Sequence, residues 1–238
     1  MTRVLGVVLL WLTGLSLATH GTQLCAEDCD QSGHSVPPHQ LVVDSTERVL
    51  ALVRSTRADG EEEPERYYQQ VGEIVDELVD TERFTRGVMA IYASARHYRA
   101  LESDEEKARF QARIDRFGRI LKHDLIYTYA KALLDFADER IETLPPAADA
   151  ISENYARIEQ KIQRPGQAAH LIQYSLHRKP GEPWKLYNVI VDGINIGNIF
   201  RNQFAYAVEN NGGDVDQAID NWKSERTIDA LRESKQAS

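Results

Sequence analysis

Residues 184–222 read WKLYNVIVDGINIGNIFRNQFAYAVENNGGDVDQAIDNW, and this stretch decides the fold. Trp184 to Val191 alternates apolar and polar side chains, the period of a strand with one buried face. Asp192-Gly193 supplies turn chemistry, with Gly193 free to adopt the backbone angles a tight turn needs. Asn195 is placed to cap the amphipathic helix that follows, and Gly197 leaves room for close packing at its first turn. Asp192 lies near the positive end of that helix, and Arg201 is expected to pair with it or with another carboxylate. A second, acidic helix closes the stretch. Strand, glycine turn, capped helix and short helix thus occupy 39 residues without a nucleotide, metal or nucleophile signature.

Working upstream, the period of two persists. Ala168 to Arg178 alternates, with Ile172, Tyr174 and Leu176 on one face. Ala156, Ile158 and Ile162 alternate with Tyr155, Arg157, Glu159 and Lys161. Arg164-Pro165-Gly166 and Lys179-Pro180-Gly181-Glu182-Pro183 are turns, so three consecutive strands form an antiparallel meander. Pro145-Pro146 marks the end of a helical half. Before it, the spacing shifts to helical. Leu41, Val42, Thr46, Val49, Leu50 and Val53 share one face of a helix that ends at Ala58-Asp59-Gly60 and Glu61 to Glu63. Pro64 opens the next, with Val71, Ile74, Val75, Leu78 and Val79 aligned. Thr81 precedes a third, carrying Phe84, Val88, Ile91, Tyr92 and Ala95. Ser103 caps a long stretch with Phe110, Ile114, Phe117, Leu121, Leu125, Ala132 and Phe136 in step. Gly118 and Lys122-His123-Asp124 are expected to bend or break it. Helices followed by strands make an α+β fold, with helices packed on one face of a curved antiparallel sheet of three or more strands.

The N-terminus reads as an export signal. Arg3 is the only charge before Glu27, and Val4 to Leu17 is an apolar run short of the roughly 20 residues that span a bilayer. Cleavage after Ala18 or after Ala26 fits, an uncleaved anchor being the alternative. Residues 36–225 then make one domain and 226–238 a polar tail. Cys25 and Cys29 are the only cysteines and staple nothing in the body. They form a small local loop in one cleavage scheme and leave a lone thiol in the other.

Charge narrows the partners. With 28 basic against 37 acidic side chains, the chain lacks the basic stripe of a nucleic-acid binder. It is equally unsuited to docking unaided on anionic lipid. His170 and His177, seven apart in one strand, cannot chelate together, and His97 and His123 lack ligand-spaced partners. No nucleophile elbow, zinc-protease helix or body cysteine is present. Neither a catalytic residue, a cofactor nor a metal is therefore expected. What remains is an abundance of apolar and aromatic residues, including ten tyrosines, which suits a greasy ligand better than chemistry.

Several motifs add a resemblance. Trp184-Lys185, Tyr187 through Gly197, Phe200-Arg201-Asn202-Gln203-Phe204, Asn211 through Asp216 and Ile219 through Trp222 resemble the C-terminal signature of the MlaC family, also called the toluene-tolerance or Ttg2 auxiliary family. Phe84 through Met89 and Phe110 through Ala130 fit it too. Asn195 and Asn188 stand where many relatives carry serine and aspartate. The resemblance implies a periplasmic phospholipid carrier whose sheet and helices enclose an apolar cavity. It also implies traffic between an outer-membrane lipoprotein–porin complex and an inner-membrane ABC transporter with an MCE-type subunit, in support of outer-membrane lipid asymmetry. On that basis Phe84, Val88, Tyr92 and Tyr129 are expected to face Ile158, Ile172, Tyr174 and Val189 of the sheet and Ile196 and Phe200 of the following helix. Bulk or charge at Val88 or Ile172 is then expected to abolish lipid co-purification. A ligand-free adaptor and a cavity enzyme for small apolar molecules are the alternatives.

Overall fold

The computed structural model describes residues 36–58, 65–134, 140–163 and 168–223. The segment expected to be an export signal, both cysteines, the residues from Asp59 to Pro64, Phe136, the expected turn at Arg164-Pro165-Gly166 and the C-terminal residues from Ser224 lie outside the described residues. Helices α1 (Pro38–Ala58) and α2 (Glu65–Leu78) come first. Helix α3 (Thr81–Met89) is capped by Asp80, whose carboxylate accepts from the Arg83 N–H at 2.8 Å. Thr81 is therefore the first residue of that helix rather than its cap. It also ends sooner than its apolar spacing suggests, passing into a 3₁₀ turn (Ala90–Ala93) and the short α4 (Ala95–Arg99).

Helix α5 (Asp104–Leu134) begins at a reciprocal cap. Ser103 Oγ accepts from the Glu106 N–H at 3.1 Å, and the Glu106 carboxylate accepts from the Ser103 N–H at 3.0 Å. Helix α5 runs without a break through Gly118 and Lys122-His123-Asp124. A Cβ at Gly118 would sit 3.1 Å from Thr85 Oγ1, so the glycine admits α3 at close range instead of breaking the helix. At about 1.5 Å per residue, α5 is long enough to serve two separate cores.

The sheet holds five antiparallel strands in sequence order: β1 (Arg140–Thr143), β2 (Tyr155–Gln163), β3 (His170–His177), β4 (Lys185–Val191) and β5 (Ile194–Asn195). Strand β1 precedes Pro145-Pro146, so the prolines interrupt the strand half rather than close the helical one. Helices α6 (Ile196–Asn210) and α7 (Val215–Asp220) follow. Asn195 Oδ1 accepts from the Asn198 N–H at 3.0 Å, the expected cap. Arg201 donates instead to the Gly87 carbonyl, at 3.0 Å. Asp192 accepts from the Leu171 N–H and meets His170 Nδ1 at 2.7 Å.

Apolar burial gathers in three clusters. One sets α1 on the inner face of the sheet, with Val42 and Leu50 against Ile158, Ile172 and Leu176. A second joins α3, the first half of α5, α6 and α7 around Phe117, Phe204 and Trp222. The third packs α1 and α2 on the second half of α5. The sheet cluster also buries Gln160, whose amide donates to Thr46 Oγ1 and Thr143 Oγ1, both at 2.9 Å, and accepts from the Tyr174 hydroxyl at 2.8 Å. A fully buried amide is tolerated because its hydrogen bonds are made.

Candidate functional site: an apolar cavity between three cores

Where the three clusters meet they do not close. A cavity of about 280 Å³ lies between α2, α5, β4 and the start of α6. Helix α2 contributes Val71 and Val75, the segment after it Val79, and α3 contributes Thr81 and Phe84. From α5 come Leu121, Lys122, Leu125, Ile126, Tyr129, Ala130 and Leu133. The opposite wall is Leu186 to Val189, Val191, Ile196 and Phe200. All but Thr81, Lys122, Tyr129, Tyr187 and Asn188 are hydrocarbon side chains.

Side-chain size explains the gap. Five valines, Ala130 and Thr81 face the space from α2 and the residue after it, α3, α5 and β4. Short side chains leave unfilled the volume that leucine or phenylalanine would occupy. Strand β4 adds a bulge, since Ser175 pairs with Asn188 while the next residue, Leu176, pairs with Leu186. The extra residue, Tyr187, breaks strict alternation, so neighbouring residues of one strand border the same cavity. Gly197 then holds α6 tight to β4. A Cβ there would lie 2.7 Å from Asn188 Oδ1, which accepts from the Gly197 N–H at 3.2 Å. That contact places Ile196 and Phe200 on the wall.

Polar groups border the cavity. The Tyr187 ring lies under the Arg83 guanidinium at 4.5 Å and edge-on to His177 at 5.6 Å. His177 Nε2 is 2.6 Å from Asp80 Oδ2, and its Nδ1 is 3.3 Å from Arg83 Nη1. Arginine only donates, so this arrangement assigns the proton to Nε2 and the lone pair to Nδ1. On α5, Lys122 Nζ donates to the Asp76 carboxylate of α2 at 2.7 and 3.0 Å. Lys185 Nζ donates to the Asp76 and Glu77 carbonyls, satisfying the end of α2. Inside, the Tyr129 hydroxyl is buried with no hydrogen-bond partner among the described residues, and burial raises its pKa well above the ordinary tyrosine value.

Of the ten residues expected from the sequence, Phe84, Tyr129, Val189, Ile196 and Phe200 line the cavity. The other five do not. Val88 is buried in the cluster around the first half of α5, with Phe117 and Phe204. Tyr92 meets Phe204 edge-on at 5.9 Å and borders an open surface depression beside Tyr206. Ile158 and Ile172 are fully buried and Tyr174 nearly so, in the part of the sheet that α1 covers. Each misplacement is small. Ile172 is paired with Val191 and Tyr174 with Val189, so the cavity begins one strand further along the same face. The wall from α2 went unassigned, although its valines were legible as a helix face. Shortness of side chain was the available signal. Among the described residues no group of His, Cys, Asp or Glu could hold a metal ion, and no helix is long and apolar enough to cross a membrane.

Comparison with known proteins points one way. Residues 44–224 match the family model described as MlaC protein. The chain is 31% identical over 188 residues to Toluene tolerance protein ttg2D of Pseudomonas putida, covering 79% of this chain and 80% of that one. Its fold resembles that of the phospholipid-binding protein from Ralstonia solanacearum, solved in complex with a phospholipid. The TM-score is 0.55 at 20% identity, over 83% of this chain and 99% of the other.

Proposed function

The chain belongs to the MlaC family, and on that footing we propose that it is a periplasmic phospholipid carrier, a binding protein rather than an enzyme. The cavity between α2, α5, β4 and α6 takes the acyl chains, and the head group stays at its rim. Lipid is received from one membrane complex and delivered to another: an inner-membrane ABC transporter with an MCE-type subunit and an outer-membrane lipoprotein–porin complex. The traffic serves outer-membrane lipid asymmetry. The observation that carries this reading is the hydrocarbon lining, drawn from all three cores at once. An adaptor filled by its own side chains has no use for such a gap.

Magnitudes fit a carrier. At about 0.8 kcal/mol per methylene, two acyl chains represent on the order of 20 kcal/mol of gross burial, near the ceiling of roughly 18–21 kcal/mol for non-covalent affinity. A shuttle that kept all of it would never let go. The cavity volume of about 280 Å³ lies at the lower edge of ligand sites, roughly 300–1,000 Å³. Two tails therefore enter only as the walls part, and that work lowers the net affinity. An acidic chain of net charge −9 is steered to basic partner patches rather than to anionic lipid.

Native mass spectrometry of the mature protein, with lipid extraction, tests the proposal. One phospholipid per chain is expected. Protein that emerges empty and stays empty after incubation with phospholipid vesicles defeats it, and turnover of an added apolar substrate would replace it with the enzyme reading.

A further inference from the structure

We propose that Lys122 is the phosphate contact of this cavity, exchanging the Asp76 carboxylate for the phosphodiester of the lipid whose tails enter the chamber. The inference rests on the carrier reading above and names where its head group is held. Among the described residues, Lys122 is the only cation in the cavity lining. Its side chain is 29% exposed, its stem borders the apolar wall, and its ammonium ends on a carboxylate that is itself 59% exposed. A lysine so placed keeps its methylenes on hydrocarbon and its charge at the water boundary, the boundary where an amphiphile keeps its phosphate.

The neighbouring cations are committed elsewhere. Lys185 closes the backbone end of α2, Arg48 is held by Glu77 at 2.5 Å, and Arg83 lies over the Tyr187 ring. Lys122 holds only the Asp76 carboxylate, and half-exposed pairs of this kind are weak. A phosphodiester offers the same charge with more acceptor oxygens, so the exchange is nearly balanced before any tail is buried. The displaced carboxylate is not stranded, because the Asp76 side chain is 59% exposed and water takes the place of the ammonium.

A second observation points the same way. Tyr129 lies seven residues along α5, on the same helical face, and its hydroxyl is buried against the cavity with no partner among the described residues. An ester carbonyl of the lipid is the acceptor such a donor lacks. Lys122 and Tyr129 thus set an ammonium and a hydroxyl two turns apart on α5, beside the hydrocarbon of Leu125, Ile126, Ala130 and Leu133, so one helix offers contacts for phosphate, ester and tail.

The experiment loads the full mature protein with an equimolar mixture of phosphatidylglycerol and diacylglycerol carrying identical chains, and reads occupancy by native mass spectrometry. Wild type is expected to prefer the phospholipid, and K122M to lose about tenfold of that preference while still binding lipid. K122R restores it, which separates charge from fold, and D76N increases phospholipid occupancy. K122M with the wild-type preference overturns this assignment and leaves the carrier standing. Wild type that binds neither lipid overturns both. Millimolar inorganic phosphate should neither displace lipid nor protect Lys122 from amine modification. Protection equal to that by phosphatidylglycerol would mean a free-anion site and would overturn the lipid assignment.

Discussion

Along β2 and β3 the inner face of the sheet is filled to contact by α1, whereas along β4 the same face looks into a cavity of about 280 Å³. The two regions are neighbours in register, Ile172 beside Val191 and Tyr174 beside Val189. On the filled side Ile158 and Ile172 are 0% exposed, and even the polar atoms of Gln160 are matched. On the hollow side the walls are short, the strand is bulged and the Tyr129 hydroxyl has no partner. Hydrophobicity does not distinguish them. Side-chain length and polar satisfaction do, and those two properties separate a core from a compartment.

The largest effect should come from treating both sides alike. Ile172→Ala opens a void in a filled region and should cost about 3 kcal/mol of unfolding free energy. Val189→Ala enlarges a space already present and should cost about 1 kcal/mol or less. Urea midpoints measure both, and equal losses would erase the distinction. Adding bulk inverts the readout. Leu125→Trp fills the cavity and should reduce bound phospholipid several-fold while shifting stability by no more than about 1 kcal/mol. Ile158→Trp should cost about 3 kcal/mol or prevent folding. Lipid retained by Leu125→Trp would move the tails elsewhere.

A subtler pair tests polar satisfaction. Tyr174→Phe leaves the Gln160 carbonyl without its hydroxyl donor and should destabilise by about 1–2 kcal/mol. Tyr129→Phe removes a hydroxyl that has nothing to bond, so lipid-free protein should gain up to about 1 kcal/mol. If Tyr129→Phe proves the more damaging of the two, the hydroxyl has a partner that the folded chain supplies.

The same contrast explains what the sequence disclosed. The meander was legible because Ala156, Ile158 and Ile162 keep the period of two, and α6 because Asn195 and Gly197 announce its start. Periodicity reports which residues face inward, but not which neighbour they face. Phe84 and Val88 share a stripe of α3, yet Phe84 reaches the cavity and Val88 the Phe117–Phe204 core. Strand β1 was missed because four residues ending just before a proline pair carry too short a pattern. Gly118 read as a weakness in α5 because its use, the approach of Thr85, lies in another helix. The rim pair Lys122–Asp76 spans 46 residues, and no local motif joins them.

The smallest effect concerns how each side answers acid. Asp216 of α7 is held by Arg113 and Arg116 of α5, both at 2.6 Å, on the filled helical side. The Arg113 hydrogen bond, together with the charges of both arginines, pulls its carboxyl below the ordinary value. At the end of α2, Glu77 is likewise lowered, by the hydrogen bond and charge of Arg48. A depressed folded-state pKa adds stability that is present above the unfolded pKa, about 3.9 for Asp and 4.3 for Glu. That stability is lost as pH falls through the lower, folded value. Asp216 is about half exposed, so solvent screening leaves its share at a few tenths of a kcal/mol. Glu77 is open to water and should contribute nothing measurable. Chemical denaturation between pH 6 and pH 3 should therefore show a shallower acid loss in Asp216→Asn than in wild type, with Glu77→Gln superimposable on wild type. A larger effect at Glu77 would mean that its exposed pair with Arg48 holds α1 to the end of α2 more firmly than solvent screening allows.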